Sequence, residues 1–113
     1  MNITEERQGD TLIVTAAGRV DGSNSQEFQQ ALEGVIGEAD RAVVLQLKEL
    51  SYISSSGLRV MLMVARMLQK RGTKFALCEL TESIREVFEI SGFDRIIPVH
   101  DSQSAAVAAV AAS

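Results

Sequence analysis

The hydrophobic positions change period several times along the chain, and each change predicts an element. Asn2 to Arg7 predicts an edge strand and Gln8-Gly9-Asp10 a turn. Thr11 to Ala17 predicts a second strand, in which Leu12, Val14 and Ala16 alternate with Ile13 and Thr15, so one face is buried more deeply. Gly18 to Gly22 reads as a loop. Ser23 and Gln26 then stand at capping-box spacing and open a helix with apolar Phe28, Ala31, Leu32, Val35 and Ile36, closed by Gly37. Ala42 to Leu47 is β-branched, nearly all apolar and too short for a helix, so it predicts a mostly buried strand. Leu58 to Leu68 predicts a long packed helix, with Lys70-Arg71 in its last turn and Gly72 as its stop. Lys74 to Cys78 predicts a core strand. Thr81 caps a third helix with Ile84, Val87 and Phe88 at core spacing and Gly92 at its end. Arg95-Ile96-Ile97 reads as a last short strand ended by Pro98. The alanine-rich tail from Asp101 predicts a helix held by Val107 and Val110, with a frayed end.

Strand and helix patterns alternate after a first hairpin. That order predicts an α/β fold: a mixed β-sheet of about four to five strands with parallel crossovers, carrying about four helices. With no linker, repeat or composition shift, residues 1–113 read as one domain. A net charge of −4 opposes nucleic-acid binding, which needs a basic footprint. Four Phe, one Tyr and no Trp leave no stacking platform for single strands. Met1 leads into Asn2-Ile3-Thr4-Glu5-Glu6 without a basic flank or apolar run, and no uncharged apolar segment approaches the ~20 residues of a membrane span. The expectation is a cytoplasmic protein that contacts neither nucleic acid nor membrane.

Chemistry concentrates at one junction. Ser54-Ser55-Ser56 lies where an apolar strand ends and the long helix begins, so the hydroxyls stand at or near a first turn whose free N–H groups favour negative charge. Such a hydroxyl caps the helix, attacks a substrate or receives a phosphate. The nucleophile reading needs a Gly-x-Ser-x-Gly elbow and a positioned base. Position 54 is Ser, and the single histidine, His100, stands beside the Pro98 turn. A non-enzymatic protein is therefore expected, with a small serine hydrolase as the third-ranked reading. No glycine-rich phosphate loop occurs, and one His, one Cys and dispersed carboxylates make no metal set, so no cofactor is expected. Cys78 reads as a small core hydrophobe. In the long helix, Leu58, Met61, Leu62, Ala65 and Leu68 form the expected core stripe. Arg59, Met63, Arg66 and Lys70 form the opposite face, where an exposed methionine among cations suits a partner surface.

Together the element order and motifs resemble the STAS domain, found in bacterial anti-sigma factor antagonists and in sulfate-transporter tails. The resemblance rests on Gly18-x-x-Asp21, on Leu47-x-x-Leu50-x-Tyr52-Ile53-x-Ser55-Ser56-Gly57-Leu58, and on Ile90-Ser91-Gly92-Phe93. In stand-alone antagonists of this family, an anti-sigma factor that is a serine kinase phosphorylates a hydroxyl near the Gly-Leu pair, and the unphosphorylated form binds that kinase. The resemblance implies Ser56 as acceptor, with Ser55 second, and a serine phosphatase for reactivation. With Arg59, Met63 and Arg66 aligned by helical spacing, the motif residues Asp21, Ser54, Ser55, Ser56 and Gly57 complete the expected partner-binding surface. The family usually carries Asp where this chain has Ser54, and a small residue where it has Arg59. The alternative within the same fold is a non-phosphorylated scaffold or accessory subunit of a transport or sensory complex.

Overall fold

A computed structural model describes residues 1–111 of the chain. Strands β1 (Asn2–Gln8) and β2 (Thr11–Val20) form an antiparallel hairpin, with Asn2 opposite Ala17 and Gln8 opposite Thr11. Helix α1 (Ser25–Val35) leads to β3 (Ala42–Gln46), and β4 (Leu50–Ile53) runs directly into α2 (Ser55–Arg71). Then follow β5 (Lys74–Cys78), α3 (Glu82–Ser91), a 3-10 turn over Phe93–Arg95, β6 (Val99–His100) and α4 (Gln103–Ala111). The sheet order is β1-β2-β3-β5-β6, and every pairing after the hairpin is parallel. β4 also runs parallel to β2, beside Gly18 to Val20, beyond the Thr15 position where β3 stops pairing. This is the mixed α/β fold that the patterning predicts; the described residues form four helices and six strands, where about four to five strands were expected.

The two-residue period of the strands sorts the core into two layers. Leu12, Val14 and Ala16 of β2, Val43 and Leu45 of β3, and Leu77 of β5 join Phe28, Leu32, Met61, Leu68, Ile84 and Phe88 of α1, α2 and α3. Burying each such large side chain contributes roughly 1.5–3 kcal/mol. On the opposite face Ile13, Ala42, Val44, Ala76 and Cys78 meet Ala106 and Val110 of α4. Asp40 and Arg7 tie the first layer together. The Asp40 carboxylate, nearly buried, accepts from Arg7 Nε (3.0 Å), Arg7 Nη2 (3.0 Å) and the Gly37 N–H (2.7 Å). Arg7 also donates to the Val35 carbonyl (2.9 Å), and Arg71 to the Gly37 carbonyl (2.8 Å). The end of α1 is thus closed by a strap from β1 and α2 rather than by a left-handed glycine.

Several expectations are corrected. β2 does not become a loop at Gly18 but continues to Val20, because β4, which the sequence pattern did not reveal, supplies a partner there. The register advances one residue on β2 and two on β4 between Gly18/Leu50 and Arg19/Tyr52, so Ser51 is the extra residue of a bulge. Gly18 takes φ +97 at this bulge, a conformation that L side chains rarely adopt. Helix α1 starts at Ser25 with Asn24 as N-cap, not at Ser23, because Ser23 is held by Asp21. In α2 the fully buried row includes Val60 and Val64, while Leu62 and Ala65 are only half-buried. Arg95-Ile96-Ile97 is not a strand. Ile97 is buried against the three-helix layer, and the last strand follows Pro98, whose carbonyl accepts from the Leu77 N–H (2.9 Å). Ala106 joins Val110 in anchoring α4, with Val107 partly buried beside them. The expected fraying falls on residues 112–113, outside those described.

Cys78 is fully buried, and burial, with the charge of Glu79 second, pushes its thiol up to about 11. The folded protein should therefore resist iodoacetamide at pH 8 and become alkylated only on unfolding in urea, as followed by intact mass.

Candidate functional site

The candidate site forms where β2 and β4 end together. Val20 pairs with Ile53, and the Ser54 N–H donates to the Val20 carbonyl (2.9 Å), so the chain enters α2 directly beside the loop that starts at Asp21. Ser54 is the N-cap, with extended backbone. Its hydroxyl accepts from the Gly57 N–H (3.3 Å), and its carbonyl accepts from the Leu58 N–H (3.0 Å). The Ser54 and Ser56 hydroxyls share a hydrogen bond of 2.8 Å. Gly57 is required by space rather than by backbone angle. A Cβ there would stand 2.8 Å from both Ile53 Cγ1 and Val20 Cγ1.

Across the junction, Asp21 organises its own loop. Its carboxylate accepts from the Ser23 hydroxyl (2.6 Å) and the Ser23 N–H (2.9 Å). Those two bonds, the hydroxyl first and with the Arg19 charge assisting, hold the Asp21 carboxyl below its ordinary value, so it is ionised at neutral pH. Asn24 accepts from the Asp21 N–H (2.9 Å) and donates to the Arg19 carbonyl (2.9 Å), fixing the turn. Arg19 stacks over the exposed Tyr52 ring, 4.4 Å from its centroid.

The sites predicted from sequence divide between two faces of α2. Ser55, Arg59, Met63 and Arg66 are all exposed and succeed one another at intervals of four, four and three residues, which puts them on one stripe. Met63 is 46% exposed. Ser56 is half-buried and precedes Val60 and Val64, both buried, at four-residue intervals. The two hydroxyls therefore differ: Ser55 points with the exposed stripe and its side chain makes no hydrogen bond among the described residues, while Ser56 is tied to Ser54. The carboxylate of Asp21 adjoins the serine run through Val20 but spends its hydrogen bonds on Ser23. The Arg19–Tyr52 pair was not expected as part of the site. Only the register of the unforeseen β4 brings the two side chains together.

Among the described residues, no histidine or carboxylate hydrogen-bonds to these serines. His100 lies on β6, separated from β2 by β3 and β5, and the Ser54 and Ser56 hydroxyls are bonded to each other. Among the described residues, no group of three or more His, Cys, Asp or Glu could hold a metal, and no helix is long and apolar enough to cross a membrane. The arrangement sets a hydroxyl cluster at a helix start, beside an ionised loop and an exposed cationic stripe.

The STAS domain family model matches residues 2–106. BtrV of Bordetella bronchiseptica, a candidate anti-sigma factor antagonist, is 43% identical over 109 residues, covering 96% of this chain and 94% of its own. The chain belongs to the STAS domain family. The same fold occurs in the crystal structure of an anti-sigma factor antagonist from Mycobacterium paratuberculosis, with a TM-score of 0.89 at 22% identity over 97% of this chain and 93% of that one. It occurs also in the Bacillus protein SpoIIAA. The unphosphorylated form matches with a TM-score of 0.80 at 19% identity, covering 99% of this chain and 98% of that one. The phosphorylated form matches with a TM-score of 0.71 at 19% identity, covering 96% and 99%.

The tight contact at Gly57 gives a paired test. Gly57→Ala gains about 0.5–1 kcal/mol of helix propensity but overpacks Val20 and Ile53 at a cost of about 1–3 kcal/mol, so urea denaturation should show a net loss of stability. Gly34→Ala, in α1 with nothing within 4 Å of the added methyl, should gain about 0.5–1 kcal/mol.

Proposed function

We propose that this protein is an anti-sigma factor antagonist. In this reading it docks, unphosphorylated, on an anti-sigma factor serine kinase through the Asp21 loop, the Ser54–Gly57 junction and the outer face of α2. Phosphorylation of a serine at that junction releases it, and a serine phosphatase restores it. The observation that carries the reading is the exposed stripe of Ser55, Arg59, Met63 and Arg66, with an unengaged hydroxyl at its head. The 43% identity to BtrV supports the antagonist class, and the two forms in which SpoIIAA is known support phosphorylation as the switch.

Between the two candidate acceptors, the geometry favours Ser55 over Ser56. A kinase must reach the hydroxyl oxygen, and Ser55 is exposed and unengaged whereas Ser56 is half-buried and hydrogen-bonded to Ser54. A phosphate brings about −1.5 to −2 charges at pH 7. On Ser55 it would meet the free N–H groups of the α2 N-terminus, whose first turn contains no acid, and Arg59 one turn on. The domain itself should accept this charge without refolding. Against a partner surface fitted to a neutral hydroxyl, the same charge would be stranded at a cost of at least ~3 kcal/mol, weakening binding by more than ~100-fold.

Incubation with the partner kinase and ATP should place phosphate on Ser55, as read by peptide mapping. Ser55→Ala should then bind the kinase without being released, while Ser56→Ala remains a substrate. Phosphate on Ser56 would reverse the preference, and binding without phosphorylation of either serine would favour the scaffold reading.

Met63 contributes to docking and not to the core. Met63→Asp should weaken kinase binding by about tenfold or more in calorimetry while the thermal melt stays unchanged. A collapse of the melt would assign Met63 to the core instead.

A further inference from the structure

The outer face of α2 continues into a second feature. Between α2, the start of β5 and the segment entering β6 lies a groove of about 210 Å3. Arg66 and Gln69 of α2, Lys74 and Phe75 of β5, and Ile96 and Pro98 of the segment before β6 line it. The lining holds two cations and no carboxylate, on a chain with net charge −4. Arg7, Arg41 and Arg85 are each engaged with a carboxylate, whereas among the described residues Arg66 and Lys74 form no ion pair. Ile96 is 55% exposed although Ile97 beside it is 1% exposed. The chain leaving the 3-10 turn thus sends Ile97 into the core and leaves Ile96, the residue before it, out at the rim of a cationic groove.

We propose that this groove receives an acidic segment of a partner protein bearing a branched apolar residue between carboxylates. The carboxylates pair with Arg66 and Lys74, and the apolar side chain rests against Phe75, Ile96 and Pro98. Exposed ion pairs contribute little by themselves, and the apolar contact with Phe75, Ile96 and Pro98 supplies what the two pairs alone would not. The groove shares Arg66 with the stripe headed by Ser55, but Lys74, which also borders the neighbouring cavity beside Asp10, Glu38 and Asp40, and Ile96 lie outside that stripe. Their variants therefore test it independently of the kinase-switch reading.

The probe is a fluorescently labelled, capped peptide of alternating Glu and Leu, added to the full chain and read by anisotropy and by amide chemical shifts. Saturable binding should appear, with shifts concentrated at Lys74, Phe75 and Ile97. Lys74→Glu and Ile96→Ser, both at exposed positions, should each weaken it about tenfold while preserving the melt. Peptides with Gln for Glu or Ser for Leu should bind more weakly than the parent. No binding, equal binding of the Gln peptide, or indifference to both variants would overturn the proposal. So would stronger binding to phosphatidylglycerol vesicles. Concentration-dependent self-association in sedimentation, abolished by the same variants, would assign the groove to a second copy of the chain and equally overturn it.

Discussion

Everything at the candidate site depends on the close approach of three backbones at Gly57. Val20 ends β2, Ile53 ends β4, and the first turn of α2 comes so near to both side chains that even a methyl group has no room. This contact sets the height at which α2 begins, and so the position of the serines relative to the Asp21 loop. It also explains why β4 exists. A strand of four residues adds little burial by itself, but it carries Ile53 under Gly57 and delivers the chain to the helix start.

The rest of the fold supports that junction from a distance. The site lies beyond the carboxyl ends of β2 and β4, where loops leaving parallel strands converge and side chains are free of packing duties. Three helices with large apolar side chains cover the face of the sheet from which α2 projects. The alanine-rich α4 closes the other face with small contacts. The Arg7–Asp40 strap holds the opposite end of α1 and reaches α2 through Arg71. One face of α2 is therefore buried along its length while the other keeps its cations and Met63 in solvent.

Charge is distributed unevenly on this frame. Among the described residues the cations of the outer α2 face and of the adjoining groove form no ion pair, although acids outnumber bases in the chain by 15 to 11. A partner with complementary charge gains orientation and encounter rate from such a patch more than raw affinity. The serine at the head of the stripe is where a modification would change the sign of that patch locally, since the helix start contains no acid of its own.

The sequence by itself determined the hairpin, the β3 and β5 strands, the end of α2 and both caps of α3, because these depend on period and on local backbone chemistry. Alternation names the buried face of β2. Thr81, Gly72 and Gly92 act within a few residues of themselves, and the structure finds each where its local chemistry puts it, whereas only the structure selects Ser54 among the three serines as the cap of α2. The exposed row of Arg59, Met63 and Arg66 was equally legible from helical spacing. Extending that spacing back by four residues reaches Ser55, a signal present in the sequence all along. Only the tertiary structure decided the rest. β4 alternates poorly, with Leu50 and Ile53 buried around two exposed residues, and it becomes a strand only because the end of β2 offers it hydrogen bonds. Ser23 donates to Asp21 instead of capping the helix, a local contact two residues apart that competes with the capping-box reading. The Arg95–Ile97 pattern gave way to a 3-10 turn because Ile97 had a core site to fill, and Pro98 could still lend its carbonyl to β5. The difference between Ser55 and Ser56 follows from how α2 is rotated against the sheet. Adjacent residues on a helix point about 100° apart, and only packing decides which of them faces the core.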